Sequence, residues 1–166
     1  MSPSAAPDER FELRVAEPRD VAAIVGLIRE LAEFENLTHL VRIQPPQLHE
    51  HLFGARPVVE ALVAELGSTV VGFALFFTNY STFLGKPGLY LEDLYVQGAQ
   101  RGQGIGEALL TRLARIANER DYGRFEWSVL DWNSNAIRFY ERMGAQVMRE
   151  WQICRITGDA LRRFSE

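Results

Sequence analysis

The segment Arg101–Gly106, RGQGIG, lies between a short apolar run, Leu89–Val96, and an amphipathic stretch that follows it. Glycine has no Cβ, so alternating glycines let successive backbone N–H groups point into one concavity. From Ile105 to Ala117, apolar residues recur at spacings of three and four, which predicts a helix packed on one face. The start of such a helix adds unpaired amide donors and the positive end of its dipole. We therefore predict a pyrophosphate-sized anion site at this segment.

A dinucleotide-binding loop is the first alternative for a glycine-rich turn between a strand and a helix. Such a loop follows the first strand of its fold, and several strand-helix units come after it. Gly106 lies in the last part of a 166-residue chain, which leaves too little sequence for those units. The position favours another class of phosphate loop.

Length and composition predict one globular domain, residues 10–166, after a disordered leader, residues 1–9, that is small and proline-rich. The single cysteine, Cys154, excludes an internal disulfide and is expected to be a strand residue.

A net charge of −4 argues against a nucleic-acid surface and mildly favours cationic substrates. No apolar run is long enough to span a membrane, and the first residues lack signal-peptide features, so we expect a cytoplasmic location with no membrane partner.

Hydrophobic periodicity predicts strands and helices in alternation. The predicted strands cover residues 11–15, 58–65, 69–77, 89–96, 125–130, 145–150 and 151–157. The predicted helices run from Pro18 to about Asn36, from Pro45 to Phe53, from the glycine segment to about Asp121, and from a cap at Asn133 or Ser134 to Gly144, with a short terminal helix. Residues 78–88 are expected to form a loop. This order predicts an α/β fold with a mixed twisted sheet and helices on both faces.

Five strings along Phe11–Thr157 together resemble one enzyme family. They are Arg29–Glu35 (RELAEFE), Tyr80–Thr82 (YST), Tyr90–Asp93 (YLED), Arg101–Gly106 (RGQGIG) and Val129–Asn133 (VLDWN). Their order resembles the diamine acetyltransferases of the GNAT N-acetyltransferase superfamily, and within them the thialysine N-ε-acetyltransferase branch. The resemblance implies the GNAT (acyl-CoA N-acyltransferase) fold, acetyl transfer from acetyl-CoA to a primary amine, and a homodimer.

The resemblance also implies the residues that hold acetyl-CoA. Strand residues would offer backbone groups to the pantetheine amides, which can add to a sheet edge like a peptide strand. The glycine segment would hold the pyrophosphate, and Asn133 would both cap a helix and hold the pantetheine arm. The implied set is Leu94, Tyr95, Val96, Arg101, Gly102, Gln103, Gly104, Ile105, Gly106, Glu107, Asn133, Ser134 and Tyr140.

Acid–base roles follow from the chemistry of the substrate. An alkylammonium with a pKa of about 10 is protonated at neutral pH, so a carboxylate must remove a proton before the nitrogen attacks a thioester. The resemblance implies Glu92 as this base and Tyr140 as the acid that protonates the CoA thiolate. Asp93 follows Glu92, and strand neighbours face opposite sides unless a bulge intervenes, so we expect only one carboxylate to act directly.

Family matching places Phe34 and Glu35 at the substrate, together with Glu92 and Asp93, while Glu33 is expected to be a solvated helix residue. The three histidines lack the spacing of metal ligands, so no metal is predicted.

Polyamine acetyltransferases of the family carry an acidic residue where this chain has Ser81, which tilts the prediction toward thialysine or another lysine-like amine. A polyamine acetyltransferase, a protein-lysine acetyltransferase and an acyl-CoA-binding sensor without turnover are the alternatives. The physiological amine, the acyl-chain preference and the sharing of a site between subunits stay open.

Overall fold

The computed structural model describes residues 11–165. They fall into two compact units, one ending at Ser128 and one beginning at Val129. The predicted leader, residues 1–9, lies outside the described residues, and the single domain over residues 10–166 stays a prediction. None of the helices within residues 11–165 is long and apolar enough to cross a bilayer.

The first unit is built on one five-stranded mixed sheet. Its strands are β1 (Glu12–Val15), β2 (Glu60–Leu66), β3 (Thr69–Ser81), β4 (Lys86–Val96) and β5 (Phe125–Trp127). They lie side by side in chain order. Strands β1 to β4 are antiparallel, and β5 joins β4 in parallel. The predicted mixed sheet is confirmed.

Helices pack on both faces of this sheet. They are α1 (Val21–Phe34), α2 (Pro45–Phe53) and α3 (Ile105–Glu119). The paired residues Val63 and Phe73 lie in one buried cluster with Ile24 of α1 and Leu48 of α2. Because side chains alternate along a strand, Gly72 faces the other side. A Cβ built there would lie 3.5 Å from a methyl of Ile105, the first residue of α3.

The β3–β4 hairpin is longer than the sequence indicated, and the loop predicted for residues 78–88 is wrong. Tyr80 pairs with Pro87, and the two strands continue to the pair Ser81 and Lys86. Glycine and proline at the start of β4 suggested a loop, but the turn needs only the residues between the strands, with Gly85 at φ +63. Ser81 is buried, and its hydroxyl oxygen accepts a hydrogen bond from the Leu84 N–H at 3.2 Å.

The second unit contains α4 (Ser134–Arg142) and α5 (Gly158–Arg162). The Asn133 side chain accepts a hydrogen bond from the Ala136 N–H at 3.3 Å, which confirms the predicted cap. Gly144, at φ +97, follows the end of α4 as predicted.

Three strands predicted after residue 124 need correction. Strand β5 ends at Trp127 rather than Leu130, and residues 145–157 form no strand in the described structure. Trp151, Ile153 and Cys154 are exposed there instead. Apolar alternation indicates which residues would share a strand face, but a strand also needs a neighbouring backbone to complete its hydrogen bonds.

An ion pair ties β1 to the start of α1. Two guanidinium nitrogens of Arg14 donate to the Asp20 carboxylate at 2.6 and 2.9 Å, and Nε donates to Glu65 at 2.8 Å. Asp20 is buried and also accepts from the Glu17 N–H at 2.7 Å. The hydrogen bonds from Arg14 hold the pKa of Asp20 below its usual range.

We expect Asp20→Ala to lower the free energy of unfolding by about 3 kcal/mol, because it leaves the largely buried Arg14 and the Glu17 N–H without this partner. Urea denaturation measures the loss. Glu119→Ala removes an exposed partner of Arg112 and is the matched control, with an expected loss below about 1 kcal/mol. Equal losses in the two variants would contradict an anchoring role for Asp20.

Candidate active site

The site begins where β4 and β5 part. β4 pairs with β3 from Lys86 to Val96, but it pairs with β5 only over Leu89–Leu91. Past Leu91, the edge of β4 on the side of β5 has no strand partner in the described part of the chain. Leu94, Tyr95 and Val96 therefore lie on a segment whose second edge is open to an extended ligand, and four residues separate this segment from Arg101.

The glycine segment has the backbone that an anion cradle needs. Gly102 and Gly104 have left-handed φ values of +83 and +81, and Gly104 precedes the first residue of α3. A Cβ built at Gly102, Gly104 or Gly106 meets no atom within 4 Å. Gln103 and Glu107 are exposed, whereas Ile105 is buried and anchors the segment to the core. The segment thus presents open backbone next to unpaired helix amides, which fits a pyrophosphate.

A β-bulge brings two carboxylates to the same region of β4. Leu75 of β3 pairs with Asp93, while the next residue, Phe76, pairs with Leu91, so Glu92 is the extra residue. Leu75 belongs to the buried cluster under α1, which places Asp93 on the α1 face of the sheet. The bulge breaks the strict alternation, so Glu92 and Asp93 are not forced onto opposite faces.

Glu35, Glu92 and Asp93 form what we call the carboxylate cluster. Burial raises the pKa of Asp93 to about 6, with further contributions from the negative charges of Glu92 and Glu35. Burial also raises the pKa of Glu35. Glu92 is exposed, and Phe34, which precedes Glu35 at the end of α1, is 44% exposed. The cluster concentrates negative charge in a partly desolvated place, which suits a cationic ligand.

Arg101 does not extend freely from the glycine segment. Its guanidinium carbon lies 4.9 Å from the ring centroid of Phe34 and 5.5 Å from that of Tyr95. Its Nε donates to the Val96 carbonyl oxygen at 3.2 Å. The sequence predicted a phosphate contact for Arg101 but gave no sign of this stack.

Sequence reasoning missed two further residues. The Gln97 amide nitrogen donates to the Glu30 carboxylate at 3.2 Å, so the strand end contacts α1 a second time. Glu30 lies four residues before Phe34, and residues at that spacing share a helix face, which is the signal that could have pointed to it.

Ser81 lies far from the carboxylate cluster within one chain. It is six residues beyond Leu75 on β3, which at about 3.3 Å per residue is about 20 Å. Its hydroxyl serves the hairpin turn. The argument from Ser81 to substrate choice therefore finds no support in direct contact within this chain.

The remaining predicted residues belong to the second unit. Asn133 is the cap of α4, and Ser134, its first residue, is exposed. Tyr140 is partly buried, with its ring centroid 5.4 Å from that of Phe139. Among residues 11–165, no group of three or more histidine, cysteine, aspartate or glutamate residues is placed to hold a metal ion.

Comparison with known proteins identifies the family. Residues 26–145 match the model of the Acetyltransferase (GNAT) family. The chain belongs to this family. It is 40% identical over 164 residues to a mouse (Mus musculus) thialysine N-ε-acetyltransferase, covering 92% of this chain and 96% of the relative. It is 37% identical over 199 residues to an L-ornithine N5-acetyltransferase of Arabidopsis thaliana, covering 93% of this chain and 87% of the relative.

The structural comparison agrees. A solved integron cassette protein of V. cholerae matches with a TM-score of 0.78 at 26% identity, over 94% of this chain and 98% of the other. The predicted family resemblance and GNAT fold are confirmed. This GNAT chain is an acetyl-transferring enzyme that acts on amines.

The raised pKa of Asp93 predicts a pH-dependent stability. A free aspartate titrates near 3.8, and Asp93 titrates at about 6 in the fold. Between these values the folded state binds more protons, so its stability falls as pH rises through this window. We expect Asp93→Asn to stabilise the protein by about 1–2 kcal/mol at pH 8 and by almost nothing at pH 3.5.

Urea denaturation at pH 3.5, 6 and 8 measures this difference. The control is Glu92→Gln, an equivalent change at an exposed neighbour, for which we expect a smaller gain. A gain for Asp93→Asn that is the same at all three pH values would contradict a buried, titrating carboxyl.

Proposed function

We propose that this enzyme transfers the acetyl group of acetyl-CoA to a terminal primary amine of a small lysine-like substrate, such as thialysine or ornithine. The carboxylate cluster carries the proposal, because Glu92 and Asp93 lie on the part of β4 that β5 does not cover, and Glu35 follows the end of α1 near them. The names of the relatives at 40% and 37% identity support the same substrate class.

Acetyl-CoA would be held mainly by backbone groups of β4 and of the glycine segment. The backbone of Leu94–Val96 would pair with the pantetheine amides, and the glycine segment would hold the pyrophosphate through its amides. The resemblance adds Asn133, Ser134 and Tyr140 from the second unit. Open space around the glycines supports the fit, because a ligand can approach the backbone closely there.

The reaction then uses one base and one acid. Glu92 accepts a proton from the ammonium, and the neutral nitrogen attacks the acetyl carbonyl carbon. The carbon–sulfur bond breaks, and Tyr140 donates its proton to the CoA thiolate. The tyrosinate recovers a proton from the new amide nitrogen, and Glu92 releases its proton to water. Asp93, Glu35 and Phe34 hold the substrate, with the two carboxylates facing a second ammonium group.

The proposal includes a homodimer acting in the cytoplasm, without a nucleic-acid or membrane partner. The resemblance supports the dimer. The net charge of −4 argues against a nucleic-acid surface.

A thiol-release assay with acetyl-CoA tests the function. The amines are thialysine, ornithine, lysine, spermidine, putrescine and a lysine peptide. We expect kcat/KM for thialysine or ornithine to exceed that for spermidine and the peptide at least about tenfold, a difference of about 1.4 kcal/mol in transition-state binding. Preference for spermidine or the peptide would favour the polyamine or protein-lysine alternatives. Tight acetyl-CoA binding with no thiol release from any amine would favour a sensor.

Alanine substitutions of glycines test the phosphate role. Gly104→Ala places a Cβ at φ +81, which costs about 1–2 kcal/mol of strain, and we expect the KM for acetyl-CoA to rise about tenfold. Gly106 lies within α3, so Gly106→Ala should raise this KM without loss of stability.

The matched control is Gly67→Ala, at φ +62 in the β2–β3 turn, where a Cβ also meets open space. It imposes comparable strain away from the site and should leave the KM for acetyl-CoA unchanged. If the KM rises as much in this variant, strain alone accounts for the effect and the phosphate role is wrong.

Substitutions of Glu92 and Asp93 test whether Glu92 is the base and Asp93 binds the substrate. We expect Glu92→Gln to lower kcat by about 10²- to 10³-fold at pH 7, with partial recovery at higher pH as more substrate is neutral. Asp93→Asn should mainly raise the KM for the amine. The pH profiles of kcat and kcat/KM measure both effects, and a pH-independent loss in Glu92→Gln would leave Glu92 only an electrostatic role.

A further inference from the structure

Arg101 connects the glycine segment to the end of α1. It begins the segment, and its guanidinium lies on the ring of Phe34, the last residue of α1. The second ring, Tyr95, and the Val96 carbonyl oxygen both belong to β4. The side chain is therefore held between the strand that precedes the glycines and the helix that leads into Glu35.

The end of α1 and the end of β4 are joined at a second point, the hydrogen bond from Gln97 to Glu30. Gln97 immediately follows β4, and its own N–H donates to the Val71 carbonyl oxygen of β3 at 2.9 Å. Gln97 thus fixes the strand end against the sheet and against α1. Of the two contacts, only the Arg101 stack starts within the glycine segment itself.

We propose that Arg101 is a positioning residue that couples acetyl-CoA binding to amine binding through its contact with Phe34. This inference rests on the proposed function. A pyrophosphate on the glycine segment orders the backbone from which Arg101 projects. An ordered guanidinium restricts the half-exposed ring of Phe34, and Phe34 is the neighbour of Glu35 in the carboxylate cluster.

The coupling has a definite sign. When the first ligand has already restricted Phe34, the second ligand loses less conformational entropy on binding, so each ligand tightens the other. By linkage the two factors are equal. We expect a factor of about 2 to 5, the effect of an exposed cation–π contact.

Calorimetric titration in both orders measures this factor. CoA replaces acetyl-CoA so that no turnover occurs, and the amine is whichever of thialysine, ornithine and spermidine is acetylated fastest. In the wild type, bound CoA should lower the amine Kd about 2- to 5-fold, and bound amine should lower the CoA Kd equally. A wild-type factor of 1 would overturn the proposal.

Two substitutions and their combination locate the coupling. Arg101→Lys keeps a cation but loses the planar group, and Phe34→Leu keeps an apolar side chain but loses the ring. Each should reduce the factor to about 1, and the double variant should reduce it no further. Phe34→Leu should leave the CoA Kd measured without amine within about twofold. Arg112→Lys, the same change on the exposed part of α3, should keep the wild-type factor.

If Arg101→Lys weakens CoA binding but keeps the factor, Arg101 is only a phosphate ligand and the proposal is wrong. Hydrogen exchange gives a second readout that needs no amine. CoA alone should slow exchange at the last turn of α1 in the wild type and not in Arg101→Lys. Unchanged exchange in the wild type would overturn the coupling, whereas slowed exchange with no acetylated amine would overturn the proposed function alone.

Discussion

Strand β4 has backbone partners on both edges over only three residues, and the site depends on this constraint. On one side it pairs with β3 along its whole length, and on the other β5 stays with it from Leu89 to Leu91. The pairing with β3 continues to Val96, where β5 has already left, so this part of β4 stays in the sheet through one edge only. An open strand edge is normally a liability for aggregation, so a segment that leaves one beside a glycine cradle suits a ligand that completes the pairing.

The bulge at Glu92 gives the same strand a second property. It shifts the register by one residue, so Leu91 lies with Phe76 while Asp93 lies with Leu75 over the α1 core. An acidic side chain is thereby desolvated at a position where an apolar one would stabilise the fold. Asp20 is more deeply buried than Asp93, but two hydrogen bonds from Arg14 stabilise its charge. Asp93 has a raised pKa and Asp20 a lowered one, and this contrast supports the proposal that Asp93 binds the substrate while Asp20 stabilises the fold.

What the sequence predicts well here is local. The ends of α2, the cap at Asn133 and the helix after Gly104 depend on residues a few positions apart, and all three match the structure. The bulge at Glu92 depends on β3, and the stack of Arg101 on Phe34 joins segments far apart in the chain. The strands predicted within residues 145–157 failed for the same reason, since alternation cannot supply a backbone partner. The family resemblance was enough to name the candidate carboxylates Glu35, Glu92 and Asp93. It did not indicate that the charges of Glu35 and Glu92 help to raise the pKa of Asp93.

The carboxylate cluster also bears on how the product leaves. Burial of Asp93 and the negative charges of Glu92 and Glu35 oppose ionisation of the Asp93 carboxyl near neutral pH. A bound ammonium offsets this effect. A charged amine therefore gains this attraction on binding, whereas a neutral molecule of similar shape does not. In the proposed reaction, acetylation converts only the ammonium beside Glu92 into an uncharged amide, while the second ammonium, which faces Asp93 and Glu35, keeps its charge. The product would therefore lose its attraction to Glu92 but keep its attraction to Asp93 and Glu35, and only that loss favours release of the acetylated amine.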